Sequence, residues 1–427
     1  MSWSFQCAEE GCETGLGQDS RIHRCPRCGN LLEVHCDLTG LDGAALRSAW
    51  AGRRRSNLPL DRSGVWRFRE LVSFFDDPAR IVSLAEGRTP LLDAPLAGAG
   101  AGDVRLTIKH QGANPTGSFK DLGMTAAITR AVALGVPVVA CASTGNTSSS
   151  MAAYAARAGL KALVFVPSGK ISAAKLAQAI DLGAFIIELG ENFDQAFNLV
   201  RAASAELGLY LVNSVNPFRI EGQKTLVFEL LEQRDWRVPD YIVVPGGNLG
   251  NVSAIAKGFR EMRELSLVER IPRLVVVQSA GADAFYRLIS SGARELVPVA
   301  QPETEATAIR IGNPANWRKA RRALAEADGL CESVTDAEIF EAKRALARDG
   351  IGCEPASAAT LAGIRKLRAA GSIEPGAEVL AVLTGHQLKD PDYVIRHAGE
   401  IESGRRLQVE VEAGALRRAV QEVLKSA

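Results

Sequence analysis

The chain has 427 residues, 47% of them apolar and 23% charged, so it can bury a large core and is expected to form two or three domains. Its 50 lysines and arginines balance 49 acidic residues, which leaves no net field for holding a nucleic acid or an acidic membrane. No apolar run approaches the roughly 20 residues of a membrane span, and residues 1–13 lack the pattern of a secretory signal. We therefore expect a cytoplasmic protein whose partner is a small molecule.

Four of the eight cysteines lie close together near the start of the chain, and they are Cys7, Cys12, Cys25 and Cys28. In a reducing compartment such clustering favours a metal over disulfides. Four thiolates can close a tetrahedral zinc site and fold a segment that has no core of its own. The gap between the first two cysteines is wider than the usual two residues, so a ribbon whose metal is weak or lost is the alternative. Four thiolates would leave no open coordination position, which makes the site structural in either case.

The remaining chain predicts alternating helices and strands. Residues 38–77 have a charged, helical pattern, and residues 412–427 predict an amphipathic surface helix. Between them, apolar segments are separated by helical ones. The predicted strands are 104–110, 136–142, 160–166, 185–189, 241–244, 274–278 and 379–383. This alternation predicts an α/β protein with two lobes, in which parallel sheets are covered by helices on both faces.

A polar turn, residues 111–124, carries Lys120 from a predicted strand to the start of a predicted helix over residues 121–134. The positive end of the helix dipole disfavours an ammonium group there and lowers its pKa from about 10.4. A neutral amine is a nucleophile that can form a Schiff base. The alternative is a solvated lysine in the first turn of a helix, which is the commoner fate of any single lysine.

Three more loops that follow predicted strands carry unusual groups, and ligands of open α/β sheets bind beyond such strand ends. Residues 143–150 offer hydroxyl and amide side chains before a helix, and residues 246–251 are rich in glycine, as phosphate-binding loops are. Thr384 could donate a neutral hydrogen bond, although many threonines at strand ends only cap a helix. An amine, a phosphate cradle and a neutral polar contact together suit the aldehyde, phosphate and ring nitrogen of pyridoxal phosphate.

A further segment, residues 213–224, gathers amide, hydroxyl and guanidinium groups after a strand. The planar fork of Arg219 suits a second phosphate or a carboxylate. A surface arginine with no ligand is the alternative.

Together, residues 114–121, 143–147, 213–224, 246–251 and 384–391 resemble the tryptophan-synthase-β-like family of pyridoxal phosphate enzymes. The resemblance covers nearly the whole chain, and the cysteine-bearing start is similar to the ribbon of part of that family. It implies the two-lobed architecture of fold type II with an added zinc-ribbon-like segment. The implied domains are a ribbon-like segment at 1–36, a large lobe at 37–123 and 217–400, a small lobe at 124–216, and a tail with a helix at 401–427.

The resemblance also implies a role for each matching residue. Lys120 would be catalytic, holding the cofactor as a Schiff base and carrying most proton transfers. The other implied cofactor contacts are Phe119 and Asn146 at the ring, Gly246, Gly247, Asn248, Leu249, Gly250 and Asn251 at the phosphate, and Thr384 at the pyridine nitrogen. The residues implied to bind a substrate phosphate are Ser143, Thr147, Asn213, Ser214, Arg219 and Lys224. No role follows for Glu354 or Gln387.

The implied reaction converts O-phosphohomoserine and water to threonine and phosphate, catalysed by a homodimer. One alternative is another lyase or synthase of this family that acts on a phosphorylated amino acid, such as one that makes cysteate from phosphoserine. Another is a binding or regulatory protein in which the ribbon is the active part and the remaining fold is a relic. An intact Lys120 and the balanced charge argue against this last reading.

Overall fold

The computed structural model of the chain describes residues 2–9, 11–72, 74–75, 77–168, 173–190, 200, 204, 206–397, 399 and 408–425. Its internal contacts divide it into two compact units, Met1–Lys389 and Asp390–Ala427. Within the described ranges, no helix is both long enough and apolar enough to cross a bilayer. The first unit contains every residue that the sequence predicts to bind a ligand.

The described strands are arranged in a two-stranded, a six-stranded and a four-stranded sheet. Their bounds are β1 Trp3–Cys7, β2 Leu32–Cys36, β3 Leu91–Asp93, β4 Arg105–His110, β5 Val138–Ala142, β6 Lys161–Pro167, β7 Phe185–Leu189, β8 Leu209–Leu211, β9 Tyr241–Pro245, β10 Arg273–Ser279, β11 Leu330–Val334 and β12 Glu378–Leu383. Strands β1 and β2 pair antiparallel. The six-stranded sheet has the order β11-β10-β9-β12-β4-β3, in which β3 alone runs antiparallel, and the four-stranded sheet is parallel with the order β7-β6-β5-β8.

Helices connect the strands of the first unit, and further described helices lie in the second unit. Their bounds are α1 Gly43–Arg54, α2 Pro95–Ala99, α3 Lys120–Ala133, α4 Asn146–Ala158, α5 Ala173–Asp181, α6 Pro217–Gln223, α7 Thr225–Gln233, α8 Gly250–Glu264, α9 Ala284–Ser291, α10 Trp317–Glu326, α11 Asp336–Arg348, α12 Pro355–Ala369, α13 Pro391–Arg396 and α14 Ala413–Lys425. The predicted α/β fold with parallel-rich sheets is confirmed, and α14 lies where the C-terminal helix was predicted.

The prediction of a charged helical segment over residues 38–77 is wrong in part. Helix α1 ends at Arg54, and the chain continues through 3-10 segments that include Trp66–Leu71. Trp50 and Trp66 are fully buried, and the Trp50 ring meets Phe68 edge to face. The segment folds back because burying these aromatic rings is worth more than extending a solvated helix.

The strands at the centre of the large sheet are buried on both faces. In β10, Leu274 and Val276 pack into one apolar cluster, and Val275 and Val277 into another. Successive side chains of a strand point to opposite faces, so a run of valines fills both cores at once. The sequence pattern did not predict β3 or β11, since β3 has only three residues and β11 is interrupted by polar side chains.

The parallel pairing decides which loops meet. Strand β12 pairs with β4, and in this pair Leu383 lies opposite His110. Strand β12 also pairs with β9, where Ala381 lies opposite Val243. The carboxyl ends of these three strands therefore lie at one edge of the sheet. In the smaller sheet β5 pairs with β8, Ala140 opposite Leu211, which brings together the loops that follow those two strands.

Candidate active site

The Lys120 turn is held by its own side chains and by the Thr384 loop. The Asp121 carboxylate accepts hydrogen bonds from the Thr116 backbone N–H at 2.7 Å, the Thr116 hydroxyl at 2.6 Å and the Ser150 hydroxyl at 2.6 Å. The Phe119 N–H donates to the Thr384 carbonyl at 2.9 Å. The direction in which Lys120 leaves the backbone is thus fixed from two sides.

Lys120 is half-buried, and the pKa of its amine is lowered to about 7. Burial is the largest cause, the positive charge of Arg219 acts in the same direction, and the carboxylate of Glu354 opposes both. The lowered pKa agrees with the sequence prediction, but desolvation replaces the helix dipole as the main cause. The Nζ atom lies 4.2 Å from the centroid of the Phe119 ring. A large fraction of this amine is therefore neutral and nucleophilic near pH 7.

Glu354, to which the sequence assigned no role, joins two of the predicted cofactor contacts. Its carboxylate accepts from the Asn146 amide at 2.9 Å and from the Thr384 hydroxyl at 3.0 Å. Burial raises the pKa of Glu354, whereas these hydrogen bonds and the charges of two lysines act against the increase. A Cβ atom at Gly385 would lie within 2.6 Å of the Glu354 carboxylate, so a larger residue at this position would force that carboxylate to move. The sequence signal was an acidic residue directly before Pro355, the first residue of a helix with an apolar pattern.

The loop that contains Gly246–Asn251 connects β9 to α8 and has the form of an anion cradle. Leu249 adopts the left-handed conformation with φ 62°, which is uncommon for a residue other than glycine. At the start of α8 the backbone N–H groups have no partners within the helix. Neither amide atom of the Asn251 side chain has a hydrogen-bond partner in the described part of the chain, although both are buried. Unsatisfied buried polar atoms beside free N–H groups suit a bound phosphate.

The second predicted polar group lies at the ends of β5 and β8. The Asn213 amide donates to the Ala142 carbonyl at 3.1 Å and accepts from the Ala142 N–H at 3.2 Å, which places it beside Ser143. Arg219 is 2% exposed and donates to the Val212 carbonyl at 3.2 Å, but its Nε has no partner among the described residues. Burial lowers the pKa of Arg219 to about 10. A buried guanidinium with a free donor is a ready site for an anion.

The other members of this group differ in accessibility. Thr147, in the first turn of α4, is buried, whereas Ser143 and Ser214 are half-buried. The Ser143 hydroxyl accepts from the Gly145 N–H at 3.4 Å, and the Ser214 carbonyl accepts from the side chain of Asn316 at 3.2 Å.

The structure does not bring Lys224 to this group. Its Nζ donates to Glu221 at 2.6 Å and to Glu261 at 2.7 Å, and the side chain is fully buried. These carboxylates raise the pKa of Lys224. Lys224 follows Arg219 by five residues, or about 140° around a helix, so the two side chains point in different directions. Lys224 therefore belongs to a buried ion cluster, in place of the predicted phosphate contact.

The four clustered cysteines come together at the base of the β1–β2 ribbon. Their sulfur atoms all lie within 4.8 Å of one another, with Cys7 and Cys28 at 3.3 Å and Cys12 and Cys25 at 3.7 Å. Tetrahedral zinc with bonds of about 2.3 Å separates its sulfur ligands by about 3.8 Å. The spacing of these thiols is therefore of the size that a tetrahedral metal requires.

A lysine with a lowered pKa and a glycine-rich loop of the form that binds phosphate, which follow parallel strands of one sheet, are features expected of enzymes that use pyridoxal phosphate. The family model described as pyridoxal-phosphate dependent enzyme matches residues 82–385. Threonine synthase of Methanocaldococcus jannaschii is 44% identical over 406 residues, covering 95% of this chain and 96% of that protein. Threonine synthase of Synechocystis sp. is 45% identical over 364 residues, covering 83% and 92%. The chain belongs to the threonine synthase family of pyridoxal-phosphate dependent enzymes.

Solved structures share the fold. Threonine synthase from Escherichia coli superposes with a TM-score of 0.67 at 21% identity, covering 92% of this chain and 89% of that one. Maize serine racemase gives a TM-score of 0.63 at 21% identity, covering 77% and 96%. These structures confirm the fold type expected from the sequence, and the family match and the threonine synthase relatives confirm the enzyme class.

Proposed function

We propose that this protein is a cytoplasmic, homodimeric threonine synthase that converts O-phosphohomoserine and water to threonine and phosphate with pyridoxal phosphate on Lys120. The observation that carries the proposal is the buried Arg219, whose positive charge lowers the pKa of the Lys120 amine and whose Nε is unpaired in the described structure. It supplies a second anion site near the reactive amine, as a phosphorylated amino acid requires. The relatives named threonine synthase, at 44% and 45% identity, support the same reaction.

The residues present fit the cofactor. The unpaired Asn251 amide and the N-terminus of α8 would hold its phosphate, with Asn146 and Thr384 at the ring. Bound pyridoxal phosphate supplies an electron sink for negative charge on the substrate carbon skeleton. The neutral hydroxyl of Thr384 is a poor acid, so we propose that it donates a hydrogen bond to the ring nitrogen without protonating it, in place of the bond that it donates to Glu354.

In the proposed reaction the chain's own residues bind the substrate and move protons. Arg219, with Asn213 and Ser143 nearby, would hold the substrate phosphate through its departure as the C–O bond at the γ-carbon breaks. Lys120, whose pKa of about 7 suits both proton uptake and release, would remove one proton from each of the α- and β-carbons and later return one proton to the γ-carbon and one to the α-carbon. Water supplies the hydroxyl that bonds to the β-carbon, so phosphate and threonine form in equal amounts.

Incubation of the purified holoenzyme with O-phosphohomoserine tests the proposed reaction. We expect threonine, measured by amino-acid analysis, and inorganic phosphate in a ratio of one to one. Parallel incubations should contain O-phosphoserine with sulfite, and homoserine without phosphate. Cysteate formation without threonine would instead identify a synthase for phosphoserine, and turnover of neither phosphorylated substrate would refute the proposal.

We also propose that Cys7, Cys12, Cys25 and Cys28 bind one structural zinc ion, because their sulfur atoms lie at distances that tetrahedral zinc requires. The purified protein should contain about one zinc per chain by elemental analysis. The variant Cys25→Ser should lose most of this metal and unfold at a temperature lower by several degrees, because metal binding contributes directly to folding of such segments. Cys331→Ser, at a cysteine outside the cluster, is the matched control and should keep its zinc. Unchanged zinc content in Cys25→Ser would contradict the site.

A further inference from the structure

Asn316 connects the two loops that the proposed function assigns to phosphate groups. It lies directly before α10 and is 1% exposed. Its Nδ2 donates to the carbonyl of Asn248 at 3.0 Å and to the carbonyl of Ser214 at 3.2 Å. Asn248 belongs to the glycine-rich loop after β9, and Ser214 belongs to the loop after β8, in the other parallel sheet. One amide group therefore spans the loops of two different sheets.

The contact with the glycine-rich loop is made at several points. The backbone N–H of Asn316 also donates to the Asn248 carbonyl, at 3.2 Å, and the N–H of Ala315 donates to the Asn248 side-chain oxygen at 3.3 Å. The next residue, Leu249, has the left-handed conformation, which is strained for a residue other than glycine and persists only where neighbours impose it. The hydrogen bonds from Ala315 and Asn316 hold Asn248, the residue before Leu249, and so help to stabilise this conformation.

The orientation of the Asn316 amide follows from its neighbours. Two carbonyl oxygens surround one end of the side chain, so that end must be the NH₂ group, which alone can donate twice. The opposite atom, Oδ1, is buried without a hydrogen-bond partner within the described ranges. An unsatisfied buried oxygen is unfavourable, and the two donated bonds must offset its cost. A simple helix cap does not require this arrangement, because the Asn316 side chain makes no cap hydrogen bond to α10.

Helix α10 is itself fixed by the ribbon. The Nζ atom of Lys319 donates to the Leu32 carbonyl at 2.8 Å, and the Arg322 guanidinium contacts both carboxylate oxygens of Glu33 at 2.7 and 2.8 Å. Leu32 and Glu33 lie in β2, the strand that follows the last clustered cysteine. Asn316 therefore lies at the start of a helix that is held in place by contacts with β2, and β2 belongs to neither of the two loops.

We propose that Asn316 is a positioning residue that fixes the separation between the cofactor-phosphate loop at Asn248 and the substrate-phosphate loop at Ser214. The proposal rests on the proposed function, which assigns these ligands to the loops. A substrate that carries its amino group to Lys120 and its phosphate to Arg219 is bound productively only if the two loops keep one spacing. The side chain acts through the loops and touches neither ligand.

The test compares Asn316→Ala, Asn316→Asp and Asn316→Ser with Asn313→Ala, an exposed asparagine three residues earlier. Alanine removes both donated bonds, and aspartate places a carboxylate against two carbonyl oxygens while keeping the size of the side chain. Each lost bond is worth about 0.5–1.5 kcal/mol, so we expect KM for O-phosphohomoserine and the dissociation constant of pyridoxal phosphate each to rise about tenfold or more. Serine keeps one donor and should give a smaller rise, and Asn313→Ala should stay within about twofold of the wild type.

Three readouts separate this role from a general loss of stability. They are the split between KM and kcat, the cofactor dissociation constant from visible absorbance, and the dissociation constant of inorganic phosphate from calorimetric titration of the holoenzyme, which should rise in the Asn316 variants. A lower unfolding temperature with all three unchanged would overturn the proposal. Cofactor affinity and phosphate binding can be measured even if O-phosphohomoserine is not turned over, so a failure of the proposed function is distinguishable from a failure of the Asn316 proposal.

Discussion

Replacing Lys120 with alanine is expected to reduce threonine formation from O-phosphohomoserine by about 10³-fold or more. The amine is the only group to which we assign both attachment of the cofactor and proton transfer, and loss of a general acid–base group alone costs about 10²–10⁴-fold. The measurement is threonine and phosphate release by purified variant saturated with pyridoxal phosphate. The visible absorption of the bound cofactor should also change, and borohydride should no longer fix the cofactor to the protein.

A second variant, Lys120→Arg, separates charge from nucleophilicity. Arginine keeps a cation at this position but stays protonated, so it can neither attach the cofactor nor accept a proton. It should be as inactive as alanine. Lys161→Ala, at an exposed lysine in β6, is the control and should retain wild-type turnover. Turnover by Lys120→Ala above about one tenth of the wild-type rate, well outside the loss expected for an acid–base residue, would contradict the assignment.

Replacing Arg219 with glutamine is expected to lower kcat/KM for O-phosphohomoserine by about 10²–10³-fold, mainly through KM. Hydrogen bonds to charged groups contribute about 1.5–3 kcal/mol each, and a guanidinium can make two to one phosphate. Arg219→Lys should recover only part of this loss, because an ammonium lacks the planar fork. The measurement is a steady-state comparison of the two variants with the wild type.

The same substitution makes a prediction about pH. The charge of Arg219 lowers the pKa of Lys120, so removing it should raise that pKa above its value of about 7. In apoprotein, the rate at which the amine captures pyridoxal phosphate depends on its neutral form, so the rise of this rate with pH should shift to higher pH in Arg219→Gln. Arg157→Ala, at an exposed arginine of α4, should leave both KM and this profile unchanged. An unchanged KM in Arg219→Gln would remove the proposed phosphate site.

Several features of the site were predictable because they depend on neighbours in the chain. The turn before Lys120 and the loop at residues 246–251 are recognisable from their residue types, namely proline, glycine and asparagine. The strands before them are recognisable from their runs of apolar residues. The role of Glu354 was not predictable. It lies 208 residues from Asn146 and 30 residues from Thr384, and nothing in its local sequence specifies that its carboxylate reaches both.

Lys224 and Asn316 both show that the local sequence does not specify long-range contacts. For Lys224 the predicted contact is not made, and for Asn316 the observed contacts were not predicted. Lys224 stands in a segment rich in phosphate-binding groups, yet the direction of its side chain commits it to Glu221 and Glu261. Asn316 stands in a segment without a recognised pattern, yet its amide reaches Asn248 and Ser214, 68 and 102 residues away. Spacing along the chain predicts which groups are available, but the faces of helices and the pairing of strands decide which groups meet.

The sequence by itself determined the α/β class and the family, and it predicted Lys120 and residues 246–251 as candidate site residues, because periodicity, turn chemistry and motif order are properties of contiguous residues. Only the tertiary structure decided why the pKa of Lys120 is lowered, which is burial together with the charge of Arg219. Only the tertiary structure decided that the Glu354 carboxylate contacts Asn146 and Thr384. It likewise decided that the Asn316 amide reaches the carbonyls of both Asn248 and Ser214. These depend on desolvation and on distances between residues far apart in the chain, and both quantities exist only once the parallel strands have been paired and their carboxyl ends brought to one edge.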